Sequence, residues 1–186
     1  MRCGVELAAI RAAPNEDSEQ VTQALYGEPL DLRQRRGGWA HVRTSYDYDG
    51  WLLEAALDDG PGALPDPNGL PPLETALSLI GAPYLWGGLS SGGIDCSGLV
   101  HLAHRLSGTL VPRDAWQQEE AATRVAEAGL VAGDLVTYGA GLRADHVAFW
   151  LGDDKILHAT SRDGLGVVEE REPASLRATR RALVRF

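Results

Sequence analysis

Between Asp58 and Pro72 the chain carries five prolines and three glycines in fifteen residues. Proline lacks the amide donor and fixes φ, so the run Asp58-Asp59-Gly60-Pro61-Gly62-Ala63-Leu64-Pro65-Asp66-Pro67-Asn68-Gly69-Leu70-Pro71-Pro72 cannot continue a helix or a central strand. It reads as a semi-rigid linker. It divides the 186 residues into an N-terminal part, 1–57, and a C-terminal part, 73–186. With 44% hydrophobic and 23% charged residues, the chain has enough apolar material to bury a core.

Residues 1–57 read as short strands. Val5–Ile10 alternates moderately, and Glu28–Arg33 and Trp39–Arg43 alternate more clearly. Pro14-Asn15, Gly27, Gly37-Gly38 and Asp49-Gly50 punctuate them, which predicts a small all-β barrel. The series Gly27-Glu28, Gly38-Trp39 and Gly50-Trp51-Leu52 resembles bacterial SH3-like domains. That resemblance implies a domain that binds or helps shape sites for peptidoglycan peptides; a plain scaffold is the alternative.

Residues 73–186 place helices before strands. Leu73, Ala76, Leu77 and Ile80 have helical spacing, with Gly81 to end the helix. Leu99, Val100, Ala103 and Leu106 share a face of a second helix that starts near Asp95 and closes at Gly108. A polar third helix is expected over 116–128. Strands are expected at 134–138, 146–151, 155–159 and 182–186. Helices followed by strands predict an α+β fold.

The net charge of −9 repels phosphate backbones and argues against a nucleic-acid partner. Glu6, Arg11 and Asn15 interrupt any apolar leader core, and no window reaches the length of a membrane span. The expectation is a cytoplasmic protein with no membrane insertion. The two cysteines, Cys3 and Cys96, stand in different settings, and no bridge between them is expected.

Cys96 follows the glycine pair Gly92-Gly93 and precedes Ser97-Gly98, so it falls in the first turn of the second helix. A helix N-terminus favours the thiolate, the nucleophilic form of cysteine. A structural cysteine needs no such loop before it. The base would be one of five histidines. His41 lies in the first part. His101 and His104 share the cysteine's helix but point elsewhere, and no third ligand makes them a metal site. His146 opens an apolar strand after Gly139-Ala140-Gly141 and Ala144-Asp145. His158 sits on the next strand, where the turn Gly152-Asp153-Asp154 would bring it beside His146 as an orienting group.

Taken in order, Pro83-Tyr84-Leu85-Trp86-Gly87-Gly88, Asp95-Cys96-Ser97-Gly98-Leu99-Val100, Gly133-Asp134-Leu135-Val136, Asp145-His146-Val147-Ala148 and His158-Ala159 resemble the NlpC-type papain-like cysteine peptidases of bacterial peptidoglycan. The resemblance implies Cys96 as nucleophile, His146 as base, His158 as orienting group and Tyr84 as an oxyanion donor, with no cofactor or metal. An SH3-like domain in front resembles a subgroup that cuts L-Ala-γ-D-Glu-diamino acid peptides. This implies that Asp95 and Ser97 receive the amine end and the D-Glu, that Trp86 walls the pocket, and that Tyr48 reaches it from the first domain. One departure is Ala115, where related sequences often carry a serine. Two other readings stand beside this one: an exported endopeptidase acting on intact wall, and a non-catalytic module that binds wall peptides.

Overall fold

The computed structural model describes all 186 residues. It comprises two compact units, one of residues 1–66 with 86–89 and one of residues 67–85 with 90–186. The division is not contiguous, because Trp86–Leu89 joins the N-terminal unit.

The first unit contains β1 (Arg2–Cys3), β2 (Leu7–Arg11), β3 (Gln20–Leu25), β4 (Leu30–Arg36), β5 (Trp39–Thr44), β6 (Asp49–Leu53) and β7 (Leu57–Asp58). Its main sheet has the order β3-β2-β6-β5-β4, and β1 pairs with β7. Alternation sends Ala8 and Ile10 inward against Ala24, Ala40, Val42 and Leu52. Burying a side chain such as Ile10 or Leu52 contributes about 1.5–3 kcal/mol. Gln20 and Gln23 of β3 hold the 86–89 segment. Gln20 Nε2 donates to Trp86 O at 2.9 Å, and Gln23 Oε1 accepts from Leu89 N at 2.7 Å. Gly87 has φ +71, and a Cβ there would stand 2.6 Å from Gln20 O, so the close approach requires glycine.

The rest of the chain runs α1 (Pro72–Leu77), β8 (Leu89–Ser90, its first residue still counted with the first unit), β9 (Gly93–Ile94), α2 (Cys96–Leu106), α3 (Ala115–Ala121), β10 (Thr123–Arg124), β11 (Leu135–Tyr138), β12 (His146–Gly152), β13 (Lys155–Thr160), β14 (Gly166–Arg171), α4 (Ala174–Arg177) and β15 (Arg180–Arg185). Its six-stranded antiparallel sheet has the order β10-β15-β11-β12-β13-β14. Helix α2 packs on β12 and β13 and is buried from Cys96 to Arg105. No helix is long and apolar enough to cross a membrane.

The third helix is shorter than expected. It stops at Ala121, and Thr123 and Arg124 pair with Arg185 and Val184 of β15. A ladder position on the sheet outcompetes the helical propensity of the following residues. The helix is polar as expected, but Gln118 and Glu119 are buried together with Ala115. Helix α1 likewise ends at Leu77 rather than near Gly81.

Candidate active site

Cys96 is the first residue of α2. Asp95 caps the helix, its Oδ1 accepting from the Gly98 amide at 2.6 Å. Arg113, just before α3, completes the cap. Its Nη1 and Nη2 donate to the two Asp95 carboxylate oxygens at 2.9 and 2.8 Å, and Nη1 also reaches Ser97 Oγ at 3.0 Å. Both members of this ion pair are buried. Gln118 of α3 adds a clamp, donating to Ser97 O at 3.0 Å and Pro112 O at 2.8 Å. The first turn of α2 is thus fixed by side chains from a segment some twenty residues downstream.

The thiol is buried, and the backbone amides of Val147 on β12 and of Ser97 favour its charged form. Burial, and after it the Asp95 charge, pushes the Cys96 thiol up to about 12; the two amides and Arg113 oppose this without prevailing. A helix N-terminus favours a thiolate, and desolvation at this site opposes it.

His146 opens β12 and is pushed down to about 3, first by burial and then by His158. Its Nε2 lies 2.8 Å from His158 Nδ1, and His158 Nε2 lies 2.8 Å from Glu170 Oε1 on β14. Burial likewise lowers His158, against the pull of Glu170. Burial would raise the Glu170 carboxyl, but hydrogen bonds from Arg162 and His158 outweigh it and hold it below its ordinary value. Arg162 Nη2 contacts both Glu170 oxygens, at 2.7 and 2.6 Å.

Tyr84 precedes β9 and forms a parallel bridge with Ile94. Burial is the main cause that raises its hydroxyl, and the nearby Cys96 and Asp95 add to it, so Tyr84 remains a proton donor. Its loop is tied to β14: Gly81 N donates to Val167 O and Val167 N to Ala82 O, each at 2.9 Å.

The structure therefore groups Cys96, Asp95, Ser97, Tyr84, His146 and His158 within the second unit. Trp86 and Tyr48 belong to the first. Trp86 is exposed, with Nε1 donating to Glu19 Oε1 at 2.7 Å. Tyr48 lies in the β5–β6 turn, its backbone held by Thr44. A cavity of about 630 Å3 also opens in the first unit, between Leu7, Trp39 and Leu53, and none of these expected residues lines it. Sequence reasoning did not single out Arg113, Gln118, Glu170 or Arg162. Arg113 had one visible signal, a lone cation in Val111-Pro112-Arg113-Asp114; Glu170 had none short of the fold.

The site thus brings together a buried thiol at a helix start, an imidazole hydrogen-bonded to a second imidazole, and a phenol. Residues 81–184 match the NlpC/P60 family, and residues 10–57 match the bacterial dipeptidyl-peptidase Sh3 domain. The chain belongs to the NlpC/P60 family of cell-wall peptidases, with an SH3 domain in front.

It is 39% identical over 90 residues to a gamma-D-glutamyl-L-lysine dipeptidyl-peptidase of Bacillus subtilis, covering 47% of this chain and 30% of that protein. It is 35% identical over 94 residues to an Escherichia coli protein described as murein DD-endopeptidase MepS/murein LD-carboxypeptidase, covering 50% of each. The chain thus spans half or less of the length of these relatives. Among solved structures, an NlpC/P60 family protein from Bacillus cereus aligns along 100% of this chain and 62% of its own, with a TM-score of 0.60 and 22% identity, which supports the fold. RipD of Mycobacterium tuberculosis, described as a non-catalytic NlpC/p60 domain protein, aligns with 62% of this chain and 95% of its own, with a TM-score of 0.53 and 26% identity.

Proposed function

We propose that this protein is a cysteine peptidase that hydrolyses the bond between γ-D-Glu and the diamino acid in peptidoglycan stem peptides bearing a free N-terminal L-Ala. The observation that carries the reading is the hydrogen-bonded series from His146 through His158 to Glu170, beside a thiol at the start of α2.

The chemistry starts from the thiol and the imidazole. Sγ of Cys96 attacks the γ-carbonyl carbon of D-Glu while its proton passes to Nδ1 of His146. The Tyr84 hydroxyl and a backbone N–H at the start of α2 donate to the oxyanion. As the C–N bond breaks, the imidazolium protonates the departing amine of the diamino acid. Water, deprotonated by His146, then attacks the thioester. L-Ala-D-Glu leaves and the thiol regains its proton. His158 holds the imidazole throughout.

The dipeptidyl-peptidase name of the Bacillus subtilis relative and the SH3 domain both support the choice of bond. The roles of Asp95 and Ser97 at the amine end, of Trp86 and Tyr48 as walls, and of a cytoplasmic place in murein-peptide recycling rest on resemblance. Asp95 is already engaged by Arg113, so its substitution would disturb the helix cap as well as any substrate contact. Acetylation of the substrate is therefore the cleaner test of amine preference.

That test incubates L-Ala-γ-D-Glu-meso-diaminopimelate, with and without an N-acetyl group, and identifies products by mass. The expected result is L-Ala-D-Glu and free diamino acid from the unblocked peptide, with the blocked one slower by about a hundredfold or more. Equal cleavage of the acetylated peptide or of intact wall would make the protein a general wall endopeptidase. No cleavage of either would place it with non-catalytic wall-binding members.

A further inference from the structure

The imidazole pair does not end in the sheet. Beyond His158 lies Glu170, a carboxylate on the edge strand β14, and beyond that Arg162 from the turn before it. We propose that Glu170 is a positioning residue that sets the tautomer of both histidines, and that Arg162 limits how strongly its charge is felt at His146. This rests on the peptidase reading for its consequences in catalysis, though not for the proton arrangement itself.

The argument is one of donors and acceptors. An ionised carboxylate only accepts. Glu170 Oε1 at 2.8 Å therefore requires the proton of neutral His158 to sit on Nε2. His158 Nδ1 is then an acceptor, and the 2.8 Å contact obliges His146 to donate from Nε2. His146 Nδ1 is left with its lone pair, which is the form a general base needs. The reverse arrangement, with His158 Nδ1 donating, would aim the bare Nε2 at a carboxylate oxygen. Two lone pairs in a partly buried site would face each other. A single residue on β14 thus dictates which nitrogen of a ring two steps away can take a proton.

Arg162 supplies the second half. It spans both Glu170 oxygens and is itself partly exposed, so the pair opens to solvent. With the guanidinium in place, Glu170 orients His158 without drawing a second proton into the chain. Without it, the unbalanced carboxylate favours an imidazolium at the pair.

Glu170→Gln is the informative substitution. The amide keeps the shape, but it can present its NH2 to His158 and so reverse the chain. Long-range 1H–15N spectra at neutral pH, assigned with His146→Asn and His158→Asn, should show Nε2–H on both rings in the wild type and a population of Nδ1–H in Glu170→Gln. kcat/KM for the unblocked tripeptide should fall roughly tenfold to a hundredfold, the scale of losing an outer orienting partner. The loss should largely vanish when Glu170→Gln is made in a His158→Asn background. Arg162→Ala should keep the tautomers and move the acid limb of the kcat/KM profile to higher pH. Unchanged tautomers in Glu170→Gln, or a loss fully additive with His158→Asn, would overturn the proposal. A protein that cleaves nothing would sink the peptidase reading, while the spectra would still decide the tautomer.

Discussion

Two histidine pairs occupy the second unit, and they show what turns a buried imidazole into a chemical group. His101 and His104 lie on α2; His146 and His158 lie on β12 and β13. Burial depresses all four. His101 donates from Nδ1 to a backbone carbonyl, Val111 O, at 2.7 Å. His104 is packed as a flat ring, stacked on Phe149 at 6.1 Å and edge-on to Phe186 at 5.3 Å. The strand pair instead forms a series that ends on a charged group. Desolvation is common to both pairs, and the charged terminus gives only one of them a direction for proton movement.

The comparison breaks most sharply on turnover. Cys96→Ala and His146→Ala are expected to lower kcat/KM for the unblocked tripeptide by about 10⁴-fold or more, with little change in melting temperature. His104→Phe should leave kcat/KM within about twofold, as expected for a packed ring with no part in proton transfer. Equal losses from His104→Phe and His146→Ala, at equal stability, would erase the distinction between the pairs.

Arg113 touches both regions, since it holds Asp95 and its charge helps lower His101. Arg113→Met strands a buried carboxylate at the start of α2. The expected cost is about 3–5 kcal/mol in chemical denaturation. A change below about 1 kcal/mol would mean that the cap survives without its cation.

A smaller effect, roughly tenfold to a hundredfold on kcat, is expected for His158→Asn, which keeps an acceptor for His146 but loses the link to Glu170. A loss as large as that of His146→Ala would give His158 a direct part in proton transfer.

A separate effect is on acid stability. His101 and His104 sit at about 3 and about 4 in the fold, against an ordinary 6.5. The unfolded chain binds more protons in that window. Their stabilisation is therefore complete above about 6.5 and is lost as pH falls towards 4 and 3. In His104→Phe the pH slope of unfolding free energy between 6.5 and 4 should flatten by up to one proton, about 1.4 kcal/mol per pH unit. An unchanged slope would show that His104 is not buried neutral.

Much of the site was legible in local pattern. Asp95-Cys96-Ser97-Gly98 before an apolar stripe marks a capped helix start, and His146-Val147-Ala148-Phe149 marks a strand mouth. The rest depends on pairings distant in sequence. Gly166-Val167-Val168-Glu169-Glu170-Arg171 was not read as a strand, because half of it is charged; it is one by pairing along its length with β13. Glu170 is placed by that register alone, next to His158's partner Val168 by two residues. Gln20–Leu25 is uncharged but half polar, and its two glutamines bond the 86–89 segment, which local pattern does not reveal. The helix expected to Ala128 failed where β15 claimed residues 123–124.

Strand β14 stands at the edge of its sheet, with a neighbour only in β13, and it holds both the backbone of the Tyr84 loop and the carboxylate behind His158. Edge elements open at lower free energy than the whole fold. The protein consequently carries a fuse. Were this strand to peel away, the Tyr84 loop and the carboxylate behind His158 would be released together, while α2 and the central strands stayed folded. In rising urea, activity would vanish as one step ahead of the loss of ellipticity, and a staple between β13 and β14 would bring the two transitions together.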